Sequence, residues 1–197
     1  MKWIIASDIH GSAYFCRQLL DACVRESADR ILLLGDLLYH GPRNDLPEGY
    51  APKEVIAMLN PLASDLLCVR GNCEAEVDQM VLDFPVLADY ALLSEGQTLI
   101  FATHGHIYHA NHLPPLHTGD ILLHGHTHVP VCERCGAAGE FMVLNPGSVS
   151  IPKEQSPHGY MTLENSVFTW KTLSGEPYCT WKIGTQLPQR DKIFVQN

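Results

Sequence analysis

Five short apolar runs in this chain each stop at a polar cluster: Asp8-Ile9-His10, Gly35-Asp36, Gly71-Asn72, His104-Gly105-His106 and Gly125-His126-Thr127-His128. Apolar runs of about four to eight residues bounded by turn signals read as buried strands. A sheet sets strand ends side by side, so clusters far apart in sequence can meet on one rim. An ionised carboxylate directly behind a buried strand is costly unless its charge is paired or metal-bound. Asp36, behind Ile31-Leu32-Leu33-Leu34, is in that position. The pattern predicts a fold whose strand ends converge, with carboxylate, amide and imidazole groups gathered around two divalent metals.

The local patterns fill in the elements. Trp3 to Ser7 reads as a strand, Phe15 to Glu26 as a helix with Phe15, Leu19, Ala22 and Cys23 on one face, and Ile31 to Leu34 as a second strand. A strand–helix–strand opening favours parallel pairing through a crossover. Lys53 to Leu59 reads as a helix, Asp65 to Val69 as a third strand and Glu74 to Leu82 as a short helix. From Tyr90 onward the pattern is mostly β. Hairpins are expected at Tyr90–Leu93 with Thr98–Ala102, at Val129–Cys132 with Phe141–Leu144, and at Gly159–Leu163 with Val167–Thr172. Ile121 to Leu123 is a further strand, and Tyr178 to Ile183 is a final strand or tail. Two sheets packed face to face with helices outside would bury these runs. With 197 residues, 46% of them hydrophobic, the chain suits one domain over residues 1–183. The polar stretch 184–197 lacks periodicity and is expected to be a poorly ordered tail.

Seven scattered cysteines do not make a disulfide framework. Cys132 and Cys135 form the one close pair. They lack a matching second pair for zinc, so a hairpin turn at Arg134-Cys135-Gly136 is the expectation, with Cys179 isolated. The net charge of −9, from 13 basic and 22 acidic residues, argues against a broad electropositive surface for long nucleic acid or anionic membrane. Small anionic substrates stay open, because bound metals add charge that such arithmetic omits. Asp8 and His10 interrupt the first apolar run too early for a secretory leader, and no run approaches membrane-spanning length. A cytoplasmic location is expected.

Asp36 can bridge two cations through its two oxygens, and Asn72 adds a neutral oxygen. The imidazoles of His104, His126 and His128 complete a mixed oxygen and nitrogen set that suits Mn, Fe, Co or Zn better than Mg. Cys73 reads as a ligand, a weak acid or a packed small side chain. His40 is a candidate substrate contact, and His124 a hydrogen-bonded core group. His109, His112 and His117 lie in a proline-rich loop and are expected to face solvent; His158 has the weakest claim.

Taken in order, the five clusters resemble the calcineurin-like metallophosphoesterases, and within them the small bacterial and archaeal phosphodiesterases of the YfcE type. The resemblance covers residues 1–172 and implies a four-layer α/β/β/α sandwich of two mixed β-sheets. It implies Asp8, His10, Asp36 and His128 around one metal, and Asp36, Asn72, His104 and His126 around the other. Asp36 and a solvent hydroxide would bridge them, and His106 would lie close by. The metals would be Mn2+, with Fe, Co or Zn as substitutes. Many members carry histidine directly after the Gly-Asn pair; here Cys73 stands there, which shifts the expectation from monoesters toward small phosphodiesters. The catalytic set is then Asp36, Asn72, His106 and Cys73. A homo-oligomer is also in keeping with the family. The competing readings are a phosphomonoesterase or nucleotide pyrophosphatase on the same metals, and a metal-bound scaffold that binds a protein partner without catalysis.

Overall fold

A computed structural model describes residues 1–186. In chain order the elements are β1 (Trp3–Ala6), α1 (Ala13–Glu26), β2 (Arg30–Leu33), α2 (Pro52–Leu59), a 3-10 segment at Asn60–Asp65, β3 (Leu66–Cys68) and α3 (Glu76–Gln79). There follow β4 (Tyr90–Glu95), β5 (Thr98–Thr103), β6 (Ile121–Leu123), β7 (Pro130–Cys135), β8 (Phe141–Pro146), β9 (Gly159–Glu164), β10 (Val167–Thr172) and β11 (Pro177–Lys182).

The strands build two sheets, in the orders β11-β10-β9-β1-β2-β3 and β4-β5-β6-β8-β7. Both are mixed. β1, β2 and β3 run parallel, as do β5, β6 and β8, with antiparallel partners outside them. Alternation along each strand assigns its two faces. In β1, Ile4 and Ala6 join the helical layer formed with Phe15, Leu19 and Val55, while Ile5 points the other way. There it meets Leu32, Leu123, Leu144, Met161 and Trp170 in the core between the sheets. Helix α1 starts at Ser12, whose hydroxyl accepts the Phe15 N–H at 3.2 Å and satisfies one of the free donors of the first turn. On the outside of the second sheet, Phe101, Leu122 and Val143 are covered by Tyr108, Leu113 and Leu116 from the segment between β5 and β6. That segment is irregular throughout, in keeping with Pro114-Pro115, which disfavour helix.

Three local expectations change. The helix expected at Glu74–Leu82 shrinks to Glu76–Gln79, because Glu74 turns inward. β7 runs through Cys135, so the turn falls at residues 136–140 and not at Arg134-Cys135-Gly136. Strand alternation then separates Cys132 from Cys135. Cys132 enters the inter-sheet core and meets Cys179, which is therefore not isolated. The Cys135 thiol donates to the Ala110 carbonyl at 3.2 Å on the outer side. Tyr178–Ile183 resolves as β11. Most of the expected polar tail, residues 187–197, lies outside the described residues. Among the described residues no helix is long and apolar enough to cross a membrane.

Candidate metal centre

In a straight strand end residues two apart share a face but stand about 6.6 Å apart along it, too far for both to meet one cation. Asp8, His10, Asp36, His126 and His128 avoid this by adopting left-handed backbone, with φ of 60°, 48°, 55°, 67° and 64°. Such residues cost about 1–3 kcal/mol each and persist only where the surroundings hold them. Here neighbouring loops are laced together. Asp8 N–H donates to Gly35 at 3.1 Å, His10 N–H to Asp36 at 2.8 Å and Gly125 N–H to His104 at 2.8 Å. Ser148 and Ser150 hydroxyls hold the Asp8 carbonyl at 2.9 and 3.0 Å. Two glycines give the required approach. A Cβ at Gly71 would strike Asp36 Oδ1 and come within 2.7 Å of Glu74 Oε2; one at Gly125 would strike Ser7 Oγ.

The result is two half-sites that meet at Asp36. On one side, His10 Nε2 and His128 Nε2 lie 3.2 Å apart, and stand 3.5 and 3.3 Å from Asp8 Oδ1. Asp36 Oδ2 is 3.7 Å from His10 Nε2. On the other, His104 Nε2 is 3.5 Å from the same Asp36 oxygen, 3.1 Å from Asn72 Oδ1 and 3.2 Å from His126 Nδ1.

The ring tautomers follow from the outer partners. Nδ1 of His10, His104 and His128 faces the carbonyls of Tyr39, Leu34 and Ile151 at 2.8, 2.6 and 2.6 Å. A carbonyl only accepts, so each Nδ1 carries hydrogen and each neutral Nε2 presents a lone pair. Lone pairs on His10 and His128 only 3.2 Å apart need a proton or a cation between them. Asp8 is fully buried, and its Oδ1 has no hydrogen-bond partner. Both facts fit divalent cations. Among the described residues, three groups of side chains are compact enough to hold one: Asp8, His10 and His128; His10, Asp36 and Cys73; Asp8, Asp36 and His104.

Burial works against charge on His104. The Asp36 hydrogen bond and the charges of Asp8 and Asp36 outweigh it and lift the ring to about 9. Burial and the neighbouring His104 charge push His126 down to about 4, so it stays neutral and available. Burial likewise opposes ionisation of Asp8, but the adjacent His10 and His128 rings and the charge of His104 hold it well below the usual carboxylate range. Below about pH 9, then, a cation must displace a proton from His104. Apparent Mn2+ affinity is expected to climb at least about tenfold per pH unit below that point and level off above it, releasing a proton from His104 and, at lower pH, another from His10, which Asp8 raises against its burial. Calorimetry in two buffers of different ionisation heat measures this release. Affinity independent of pH, with no proton released, would contradict the placement of His104.

Other expected residues separate out. His106 lies 5.4 Å from His104 and 6.3 Å from His126 between ring centroids, beside a neighbouring cleft, with its Nδ1 buried and unpartnered. His40 is edge-on to Tyr39 and Tyr50, not in the metal cleft. His124 is buried against Gly125 and Asn145. His158 stacks on Phe15. Cys73 stays: its N–H donates to Asp36 Oδ1 at 2.9 Å and its thiol to Oδ2 at 3.3 Å. Burial, then the Asp36 charge, pushes that thiol far above the ordinary range, so it is not a thiolate nucleophile.

Glu74 is the residue that motif reading missed. Its carboxylate accepts N–H groups of Asp36, Leu37 and Gly71 at 2.8, 2.7 and 2.6 Å, tying two ligand loops together. Burial and the Asp36 charge raise it to about 7. Above this floor opens a cleft of about 400 Å3 whose walls include Arg43 and Lys153.

A model of the calcineurin-like phosphoesterase superfamily domain matches residues 1–166. Phosphodiesterase YfcE of Escherichia coli strain K12 is 46% identical over 176 residues, spanning 89% of this chain and 94% of its own length. The probable metallophosphoesterase YsnB of Bacillus subtilis is 28% identical over 182 residues, 86% of this chain and 88% of YsnB. The solved structure of the E. coli phosphoesterase YfcE superposes with a TM-score of 0.88 at 43% identity, covering 93% of this chain and all of that one. With its two mixed sheets and a site built at their strand ends, the chain belongs to the calcineurin-like phosphoesterase superfamily.

Proposed function

We propose that the protein is a metal-dependent phosphodiesterase acting on small phosphodiesters. Asp8, His10, Asp36 and His128 hold one cation, and Asp36, Asn72, His104 and His126 hold the other. The observation that carries the reading is the set of imidazole lone pairs and unpaired carboxylate oxygen converging on either side of Asp36. Two bound divalent cations supply an activated water as nucleophile and positive charge for the phosphoryl oxygens. Mn2+ is the metal put forward, on the mixed oxygen and nitrogen donor set.

The chain's own groups set the rest. The carbonyls of Tyr39, Leu34 and Ile151 orient three imidazoles, and Glu74 fixes the loops that carry Asp36 and Asn72. Cys73, held protonated, keeps a neutral group beside Asp36 at the point where a stronger acid would serve a poor leaving group. Diesters with good leaving groups need no such acid, which supports diesters over monoesters. A cytoplasmic location and a homo-oligomer go with this reading; light scattering tests the second.

The test is to strip the metal, restore Mn2+, and compare bis(4-nitrophenyl) phosphate with 4-nitrophenyl phosphate. Turnover should depend on Mn2+, with kcat/KM at least about tenfold higher for the diester, equivalent to ~1.4 kcal/mol. Full activity without metal, or preference for the monoester, would overturn the reading. Cys73→Ser retains a hydroxyl donor for Asp36. It is expected to change kcat/KM less than about tenfold, in line with one neutral hydrogen bond of roughly 1 kcal/mol. Complete loss with both metals still bound would give Cys73 a direct part in the reaction.

A further inference from the structure

Beside the proposed metal ligands, the cleft is lined by two basic side chains with no part in holding metal. Arg43, in the loop after β2, and Lys153, after β8, both line the cleft. The chain carries a net charge of −9, and Lys2, Arg17, Arg30, Arg70 and Lys171 each sit within ion-pair distance of an acid. Arg43 and Lys153, like Arg25, Lys53 and Lys182, have no acidic partner among the described residues, and they alone among the described lysines and arginines line the cleft. Their backbones are nevertheless fixed. Lys153 N–H donates to the His128 carbonyl at 3.1 Å, and Ser156 Oγ donates to the Lys153 carbonyl at 2.6 Å. The Arg43 loop is tied by Asn44 Nδ2 donating to the His40 carbonyl at 2.9 Å.

Two cations without an acidic partner, both lining the cleft that Asp36, Asn72, His126 and His128 also line, make a local positive field. The reacting diester carries one negative charge, which the cations held by Asp36 and the imidazoles would meet. The cleft volume of about 400 Å3 lies in the range that holds a whole small ligand rather than one phosphate group. We propose that Arg43 and Lys153 form an anion subsite that selects phosphodiesters bearing a second phosphate on one arm. Arg suits such a group through its paired N–H donors, and Lys through its point charge. This proposal rests on the phosphodiesterase reading for its catalytic consequence, though not for binding.

A matched pair tests it: thymidine 5′-(4-nitrophenyl phosphate) with and without a 3′-phosphate, given to the Mn2+-loaded full chain. The 3′-phosphate should raise kcat/KM at least about tenfold, mainly through KM, and added salt should shrink the gain. In the double variant Arg43→Gln, Lys153→Gln the ratio should fall to about one. Both side chains are exposed, so folding is expected to survive, which a thermal melt checks. No preference in the wild type, or the same preference in the double variant, overturns the subsite. If neither compound nor bis(4-nitrophenyl) phosphate is hydrolysed, the reading of the reaction fails separately. The subsite is then judged by calorimetry of thymidine 3′,5′-bisphosphate against thymidine 5′-phosphate. At least about tenfold tighter binding of the bisphosphate, lost in the double variant at equal metal content, supports it; equal affinities reject it.

Discussion

Asp36→Asn is expected to lower kcat/KM for bis(4-nitrophenyl) phosphate by at least about a thousandfold while the fold survives. Altering the outer partners of a metal ligand already costs about 10–100-fold in affinity or activity. Asp36 is more than an outer partner: its Oδ2 faces His10 on one side and His104 on the other. Asparagine keeps one oxygen for the Cys73 N–H, so the local backbone retains its contact. It also relieves repulsion among Asp8, Asp36 and Glu74 in the metal-free protein. The substitution separates catalysis from folding: circular dichroism should match the wild type, and metal content should fall. Near-normal turnover by a folded, metal-loaded variant would remove Asp36 from the shared position.

Glu74→Ala is expected to lower both stability and metal affinity. Three N–H groups, on Asp36, Leu37 and Gly71, lose their acceptor together. At about 1 kcal/mol or more for each buried donor, the cost is at least ~3 kcal/mol. For a chain of this size that lowers Tm by about 6–12 °C. Glu74→Gln is more selective: its amide oxygen can still accept, but its NH2 now meets a donor. Mn2+ affinity should fall about 10–100-fold in both variants, because the loops carrying Asp36 and Asn72 lose their tie. Wild-type Tm and affinity in Glu74→Ala would show that the loops hold themselves.

These two residues also mark what the sequence makes legible. Asp36 stands directly behind four buried apolar residues, and that position alone signals an unusual need for a partner. The seven proposed ligands were readable for the same reason: each follows a strand whose hydrophobic pattern is local. The parallel pairing of β1 with β2 was readable from the crossover rule. Glu74 carried no such mark. It follows the Gly-Asn-Cys run, where a helix start is an ordinary role for glutamate, and only tertiary folding turns it beneath Asp36. Left-handed backbone at Asp8 and His10 was equally hidden, since the requirement arises from aiming two neighbouring side chains at one point. Cys132 and Cys179 meet because edge strands of different sheets face each other, a long-range result that no spacing encodes. His40 was drawn to the site by its nearness to Asp36 in sequence; Tyr39 and Tyr50 hold its ring elsewhere, and Arg43 and Asn44 from the same loop line the cleft instead.

Anomalous diffraction from Mn2+-loaded crystals tests the central claim most directly. Two manganese peaks are predicted, both bound by Asp36, one also by Asp8, His10 and His128 and the other also by Asn72, His104 and His126. A single peak, or two peaks with Asp36 touching neither, would contradict it.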